Sequence, residues 1–407
     1  MLRVSLTWPG GASNSTRPDR ETELLKMASF VRICAVLLLL SQATTASAQI
    51  AATLAGTITD TNGDPLPDVN VFIAASMIGT ATDENGQFEI QGVPLGTLRL
   101  YVSRIGYEPA HKDVFVRAAA TYTFDFTLQE AVYELGQITV IEDNKQWQRQ
   151  LERFTKLFIG QTPWAQQTTI TNPEVLDFSS RGGDFRAQAS EPLVIENRAL
   201  GYKLTYFLNE FAAHPGGWRW DGEPLFEMLE PESPEEAALW NARRDSAFYG
   251  SFRHFLLAVI NDQVEREGFK IYSRVDARSN LTGRKTAGTT LPYARGPEFQ
   301  NSQRFPLSAA DIMKPGEAAV ERILDFEGFV EIVYTREEED ETYIRLEEQF
   351  LRRPKFQTST IRLDNGPTIV DLKGDTLDPY GVTFYGGYFG YERVANQMPK
   401  EYRPWID

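Results

Sequence analysis

GTITDTNGDPLPDVNVFI, residues 56 to 73, sets two β-prone runs on either side of a dense turn signal. Thr57, Ile58 and Thr59 lead into Asp60, Asn62, Gly63, Asp64 and Pro65, and Val69, Val71, Phe72 and Ile73 follow. Asn, Asp and Gly tolerate positive φ or bond their own backbone, so Asn62-Gly63 predicts a tight hairpin. TDENGQFEI, residues 82 to 90, repeats the grammar with Asn85-Gly86. Working outward, strands are expected over residues 52–60, 69–75, 78–82, 86–90, 97–104, 113–117 and 122–128. In the last, Tyr122, Phe124, Phe126 and Leu128 alternate and put one face in a core. Seven short strands separated by turn residues predict an all-β sandwich.

The 407 residues are 42% hydrophobic and 24% charged, enough for a sizeable core and for two domains. The net charge is −15, and leaving out the five basic and three acidic residues before position 49 brings it to about −17. A nucleic-acid role is therefore not expected, because a phosphate backbone demands a basic footprint. Cys34 is the only cysteine, so neither an intrachain disulfide nor a thiolate zinc cluster is expected.

Cys34 lies in MASFVRICAVLLLLSQATTASAQ, where Arg32 precedes an apolar run from Ile33 to Leu40 and then Ala46-Ser47-Ala48. This reads as a secretory signal over residues 27–48, cleaved between Ala48 and Gln49. The run is shorter than the roughly 20 residues that span a bilayer, and Cys34 sits at its start rather than its end, unlike a lipidated cysteine. Residues 1–26 read as a mis-assigned start. No later segment approaches transmembrane length, so an exported protein of the periplasm, outer membrane or cell surface is expected.

Three motifs in order carry a resemblance: Gly56, Asp60, Gly63, Pro65-Leu66-Pro67, Val69 and Val71; then Thr82-Asp83, Gly86 and Phe88; then Gly96 and Ile105-Gly106-Tyr107. Together they resemble the carboxypeptidase regulatory-like domain, which implies a transthyretin-like sandwich over residues 49–135 and brings no catalytic residue. In Gram-negative envelopes that module opens TonB-dependent receptors and smaller exported proteins. The receptor reading lacks the many ten-residue strands of a barrel. A zinc carboxypeptidase needs His-x-x-Glu, whereas Val114, Gly217 and Leu257 stand three residues after His111, His214 and His254. No metal or other cofactor is expected.

Residues 136–160 read as a linker strand and helix. In NKQWQRQLERFTKLFIG, Trp147, Leu151, Phe154 and Phe158 share one helical face, with Gly160 as the stop. Residues 161–407 read as a mainly-β α+β domain. In it Ser233, Pro234 and Glu236 open a helix with a capping box, and Phe252, Phe255, Leu256, Val259 and Ile260 form a core-facing stripe after the cap Ser251. Strands are expected in PLVIEN, YKLTYFLNEF, GFKIYSRV, FEGFVEIVYT, YIRLEEQF, FQTSTIRLDNGPTIVDL, with a hairpin at Asp364-Asn365-Gly366, and VTFYGGYFGYERV. TREEEDET, residues 335–342, reads as a solvated hairpin tip. RFTKLFIGQT, PLVIENRALGYKLTYFLNEF, FYGSFRHFLLAV and GGYFGYERVANQMPKEYRP resemble exported bacterial proteins that join this sandwich to one further domain, and that resemblance implies no activity.

The catalytic candidates are His254 and Asp245, near Arg243, Arg244 and Arg253, since a histidine beside a carboxylate can act as general base. Against them, His254 falls inside the apolar stripe, which suits a core-bordering role. There is no Gly-x-Ser-x-Gly elbow, P-loop or dinucleotide fingerprint. Trp218, Trp220 and Asp221 in HPGGWRWDG, and Tyr385, Tyr388 and Tyr391 near glycine-rich turns, are binding candidates if loops present their rings to a sugar or peptide; core or interdomain packing is the alternative, and the favoured one. Asp60, Asn62 and Asp64, with Asp83 and Asn85, alternate oxygen donors as calcium loops do, but lack the closing Glu, so turn chemistry accounts for them. Two functions stand: a non-catalytic envelope module that binds or scaffolds another envelope protein, a carbohydrate or a peptide, or a hydrolase seated in the second domain. N-terminal sequencing of protein from the native host is expected to begin at Gln49; a cytoplasmic chain beginning at Met1 contradicts export.

Overall fold

Asp60 turns the chain with its side chain: Oδ1 accepts from the amides of Asn62 at 2.8 Å and Asp64 at 2.9 Å, while Gly63 takes φ 88°. The same five-residue device recurs at Asp83, bonded by Asn85 and Gln87 before Gly86, and at Asp371, bonded by Lys373 and Asp375 before Gly374. Positive φ falls on the glycine alone, so these are not the two-residue hairpins expected from Asn-Gly but longer turns in which a carboxylate caps two amides. Asp60 and Asp83 thereby use their carboxylates inside the turn.

The computed structural model describes residues 51–131, 145–214, 217–275, 303–316, 321–346 and 355–404. The expected signal segment and its cleavage site at Ala48 and Gln49 lie outside them. The sandwich comprises β1 (Ala51–Asp60), β2 (Asn70–Ile73), β3 (Gly79–Ala81), β4 (Gln87–Pro94), β5 (Gly96–Ser103), β6 (Ala110–Val116), β7 (Thr121–Thr123) and β8 (Phe126–Leu128). One sheet runs β4-β1-β7 with β8 also on β1, the other β3-β2-β5-β6. The Asp60 and Asp83 turns thus carry the chain between sheets rather than joining neighbours. The expected last strand is split at Phe124-Asp125, yet Phe126 and Leu128 still enter the core with Ile58, Val71, Ile90, Leu100 and Val114.

The second region adds β9 (Thr168–Ile170), β10 (Leu176–Arg181), β11 (Asp184–Ala189), β12 (Leu193–Asn197), β13 (Tyr202–His214) and β14 (Gly217–Met228), in the order β10-β11-β13-β12-β9 with β14 paired along the whole length of β13. Helix α1 (Lys145–Phe158) covers this sheet: Phe154 meets Phe211 at 4.9 Å and Phe158 meets Tyr206 at 5.0 Å between ring centroids. It was expected as part of a linker, but its apolar face makes it core. After it come α2 (Pro234–Phe248) and α3 (Phe252–Ile260), capped by Ser233 and Ser251 as their sequences require. Glu236 bonds the amide of Glu232, one residue before the cap.

Next are β15 (Phe269–Val275), β16 (Gln303–Leu307), α4 (Ala309–Ile312), β17 (Met313–Pro315), β18 (Arg322–Leu324), β19 (Phe329–Glu338), α5 (Glu341–Leu346), β20 (Phe356–Arg362), β21 (Thr368–Val370), β22 (Thr383–Gly387) and α6 (Tyr388–Tyr391). They build a sheet β16-β15-β19-β20-β22 and a small one β17-β18-β21. The run expected as a strand in YIRLEEQF begins as α5, because Asp340 caps it through the amide of Tyr343 at 2.8 Å. The acidic run before it is not a solvated tip: Glu337 accepts from Gln357 and Glu339 is buried.

From Ile50 onward the chain is one compact unit, and β5 explains how. Leu98, Leu100 and Val102 face the sandwich core, while Thr97, Arg99 and Tyr101 on the opposite side are also buried. Tyr101 and Phe72 pack against Phe207 of β13 at ring-centroid distances of 5.9 and 4.9 Å, and the Tyr101 hydroxyl donates to Asn209 at 2.8 Å. Backbone bonds lock the contact: Ala75 donates to Pro224 at 3.0 Å, Phe226 to Ser76 at 2.9 Å and Lys400 to Ala75 at 2.9 Å. Expressed alone, residues 51–131 are expected to give a β-sheet circular dichroism spectrum and to bind a hydrophobic dye, with dye binding reduced by Phe72→Thr; a fragment that binds no dye contradicts the burial of this face.

Candidate functional site

Docking the sandwich on β14 leaves a cleft of about 340 Å³ between the two regions, walled by Ala74 and Arg99 from one side and Trp220, Glu223, Arg253 and Tyr380 from the other. A second cavity of about 500 Å³ shares Arg99, Glu223 and Tyr380 and adds His111, Asn209 and Asp221. Volumes in this range suit small ligands. Arg99 stands between the two, its Nε 3.0 Å from Asp113 and its Nη1 3.3 Å from Glu223.

The charges around the cleft are held by different means. Lys400 reaches Asp371 at 2.9 Å and Asp375 at 3.1 Å; burial disfavours its charge, and the two carboxylates more than overcome that, raising its pKa. The Asp371 turn therefore both bends the chain and anchors this ammonium. Arg253, on the first turn of α3, donates to the carbonyls of Lys373, Pro399 and Lys400 at 2.9, 3.0 and 2.7 Å. Burial pushes its pKa down to about 10. For Glu223, burial outweighs Lys400 and Arg99 and pushes the carboxyl up to about 7; for Glu392, burial reinforced by Glu337 pushes it up to about 8.

The sequence candidates lie elsewhere or act otherwise. His254 is fully buried among the rings of Phe248, Tyr249, Phe269 and Tyr334. Its Nδ1 accepts from the Gly250 amide at 3.1 Å, which places the proton on Nε2, 3.5 Å from Glu267. Asp245 instead accepts the Tyr402 hydroxyl at 2.6 Å. The carboxylate paired with the imidazole is Glu267, so His254 takes the core-bordering role that the apolar stripe suits, and the candidate His254–Asp245 pair is not formed. Arg244 donates to the carbonyls of Leu200 and Gly201, and Arg243 to Gln167, fastening α2 to the preceding sheet.

Trp218 and Trp220 were expected on a loop and stand on β14. Their period-two spacing turns both toward Arg393, whose guanidinium lies 4.4 Å and 5.9 Å from the rings. Trp218 is buried, while Trp220 reaches the cleft. Asp221 accepts from Asn209 at 3.2 Å and borders the second cavity. Tyr385 donates to Asp364 at 3.2 Å and meets Phe329 edge-on. Tyr388 packs with Tyr343 and Tyr391 at 5.6 Å from each. These tyrosines pack rather than display. The cleft residues Arg99, Glu223 and Lys400 were missed; the available signal was an Arg and a Tyr alternating with apolar residues in GTLRLYVS, a strand whose outer face is too rich for solvent. Among the described residues no group of three His, Cys, Asp or Glu is gathered for a metal, and no helix is long and apolar enough to cross a membrane.

Residues 53–129 match the carboxypeptidase regulatory-like domain. Solved structures similar to this chain include a type II cohesin–X-dockerin complex from Acetivibrio cellulolyticus, 21% identical over 19% of this chain and 56% of that one, TM-score 0.17. Catechol 1,2-dioxygenase from Acinetobacter sp. ADP1 is 17% identical over 22% of this chain and 55% of its own, TM-score 0.18. The pilin BcpA of Bacillus cereus is 11% identical over 20% of this chain and 31% of its own, TM-score 0.17. The chain thus spans little more than half of the first two, and no function is transferred from them. No curated protein matches.

The buried groups set opposite pH limits. His254 is lowered from 6.5 to about 3, chiefly by burial, so its contribution to stability is complete above 6.5 and is lost as pH falls toward 3. Glu392 is raised from 4.5 to about 8, so its contribution is complete below 4.5 and is lost as pH rises toward 8. At about 1.4 kcal/mol per unit, each limb amounts to a few kcal/mol at most. Thermal melting across pH is expected to show a maximum between these limits. His254→Gln should flatten the acid limb and Glu392→Gln the alkaline one; unchanged slopes contradict the assignment.

Proposed function

We propose that the chain is a non-catalytic binding protein of the bacterial cell envelope, in which the regulatory-like sandwich and the second region together form the walls of a ligand cleft. The observation that carries this reading is the composition of the cleft, to which each region contributes side chains that the other buries or pairs, as Arg99 with Glu223. The sandwich is then not a spacer but half of the site. Export rests on the leader read at residues 27–48, ending in Ala46-Ser47-Ala48. The hydrolase alternative loses its principal support, since His254 is enclosed by four rings and paired with Glu267.

Native mass spectrometry of protein purified from the envelope fraction of its own host tests the reading. A non-covalent mass increment is expected, diminished in Tyr380→Ala, which alters a wall common to both cavities. Recovery in the cytosolic fraction contradicts export, and envelope protein without an increment contradicts binding.

A further inference from the structure

The cleft is apolar along one side, and of the cations that line it Arg393 lies over the Trp218 and Trp220 rings while Arg253 meets neither of those rings nor, among the described residues, a carboxylate at contact distance. Phe252 meets Phe384 at 5.0 Å and Phe389 at 5.4 Å between ring centroids, and all three line the space. Arg99 is matched by Asp113 and Glu223, Arg219 by Glu210, and Lys400 by Asp371 and Asp375. Arg253 differs. Its three bonds go to neutral carbonyls, no carboxylate among the described residues lies within ion-pair distance, and three bonds occupy three of a guanidinium's five N–H groups.

A buried cation is costly unless it is paired. The depressed pKa of Arg253, set first by burial, expresses that cost. Asp371, Asp375 and Glu401 favour its charge only from beyond contact distance, Arg403 opposes it, and burial outweighs the favourable ones.

A second polar group points to the same chemistry. Thr383 lines the cleft, is 3% exposed, and its hydroxyl has no hydrogen-bond partner among the described residues. A buried hydroxyl of this kind needs an acceptor. Thr383 and Arg253 are the chain neighbours of Phe384 and Phe252, the rings that touch. Gln397 also lines the space, its side-chain oxygen without a partner among the described residues, and its amide can offer either end to a head group.

We propose that the cleft takes a small amphipathic anion, a single carboxylate on an apolar body, with Arg253 and Thr383 meeting the carboxylate and the Phe252–Phe384–Phe389 wall meeting the body. This rests on the cleft being a ligand site, and it adds the ligand's class. One guanidinium suits one negative charge, and planar N–H groups suit a carboxylate. The chain's net charge of −15 favours cations at long range, so preference for an anion would have to come from the cleft itself.

Calorimetric titration of the mature chain with decanoate, decanol and decyltrimethylammonium tests this. Decanoate is expected to bind about tenfold or more tightly than decanol, with the cation weakest. Arg253→Met should bring decanoate down to the level of decanol. Because Arg253 also clamps three carbonyls, the conservative Thr383→Val is the companion variant, expected to weaken decanoate about fivefold without moving decanol or the melting temperature. Equal binding of decanoate and decanol, or preference for the cation, overturns the anion assignment while leaving the cleft a ligand site. Failure of all three to bind folded protein overturns the amphipathic ligand class, and the cleft reading falls with it only if the native mass increment is also absent.

Discussion

Tyr101 and Phe72 close against Phe207, and the rest of the arrangement depends on that contact. A sandwich sheet normally presents one face to water, and a strand such as β5 then alternates buried and exposed residues. Here seven of its eight residues are buried, because the outer face lies on β13 and β14. Three aromatic rings of this size, buried together, are worth several kcal/mol, as truncations of a buried Phe cost about 3–5. The hydroxyl of Tyr101 is satisfied by Asn209, so the ring is buried without an orphaned polar group.

The backbone completes what the rings begin. Ala75 sits at φ 55°, a left-handed conformation that costs a residue with a Cβ about 1–2 kcal/mol. Its amide donates to Pro224 and its carbonyl accepts from Lys400. Those two bonds over-determine the conformation and tie two distant segments, β14 and the C-terminal one, to one residue of the sandwich. Lys400 is fixed in turn by Asp371 and Asp375. The cleft follows from this geometry: sandwich, β14 and the C-terminal segment meet around Ala75 and Arg99, and the space they do not fill is lined by what each brings. It holds charges at unusual values because it is enclosed by the junction rather than carved into one region.

Much of the fold was legible in the sequence because it depends on local chemistry. The seven-strand pattern, the amphipathic face of α1 and the caps Ser233 and Ser251 all rest on spacing of a few residues. The Asn-Gly turns were legible in place and misread in kind: the deciding group was the preceding Asp, whose carboxylate captures two amides, and the sequence repeats it at Asp60, Asp83 and Asp371. The site was much less legible. His254 and Asp245 are nine residues apart and suggested a pair, but the bend at Gly250 gives each its own partner. Trp218 and Trp220 were read as loop residues because a glycine pair precedes them, whereas pairing along the whole length of β13 keeps them in a strand. Arg99 and Glu223 come together across 124 residues of sequence, and no local pattern announces such a meeting.

The junction is tested most directly by native-state hydrogen exchange at the amides of Ala75 and Phe226, the two that cross between sandwich and β14. If the regions form one body, both amides exchange as slowly as those inside β5 and β13, and Phe207→Ala accelerates them selectively while Ile58 and Leu54 keep their protection. Exchange at Ala75 and Phe226 as fast as in open turns, in a chain whose β5 and β13 remain protected, would show two modules joined only by the chain and would contradict the cleft built between them.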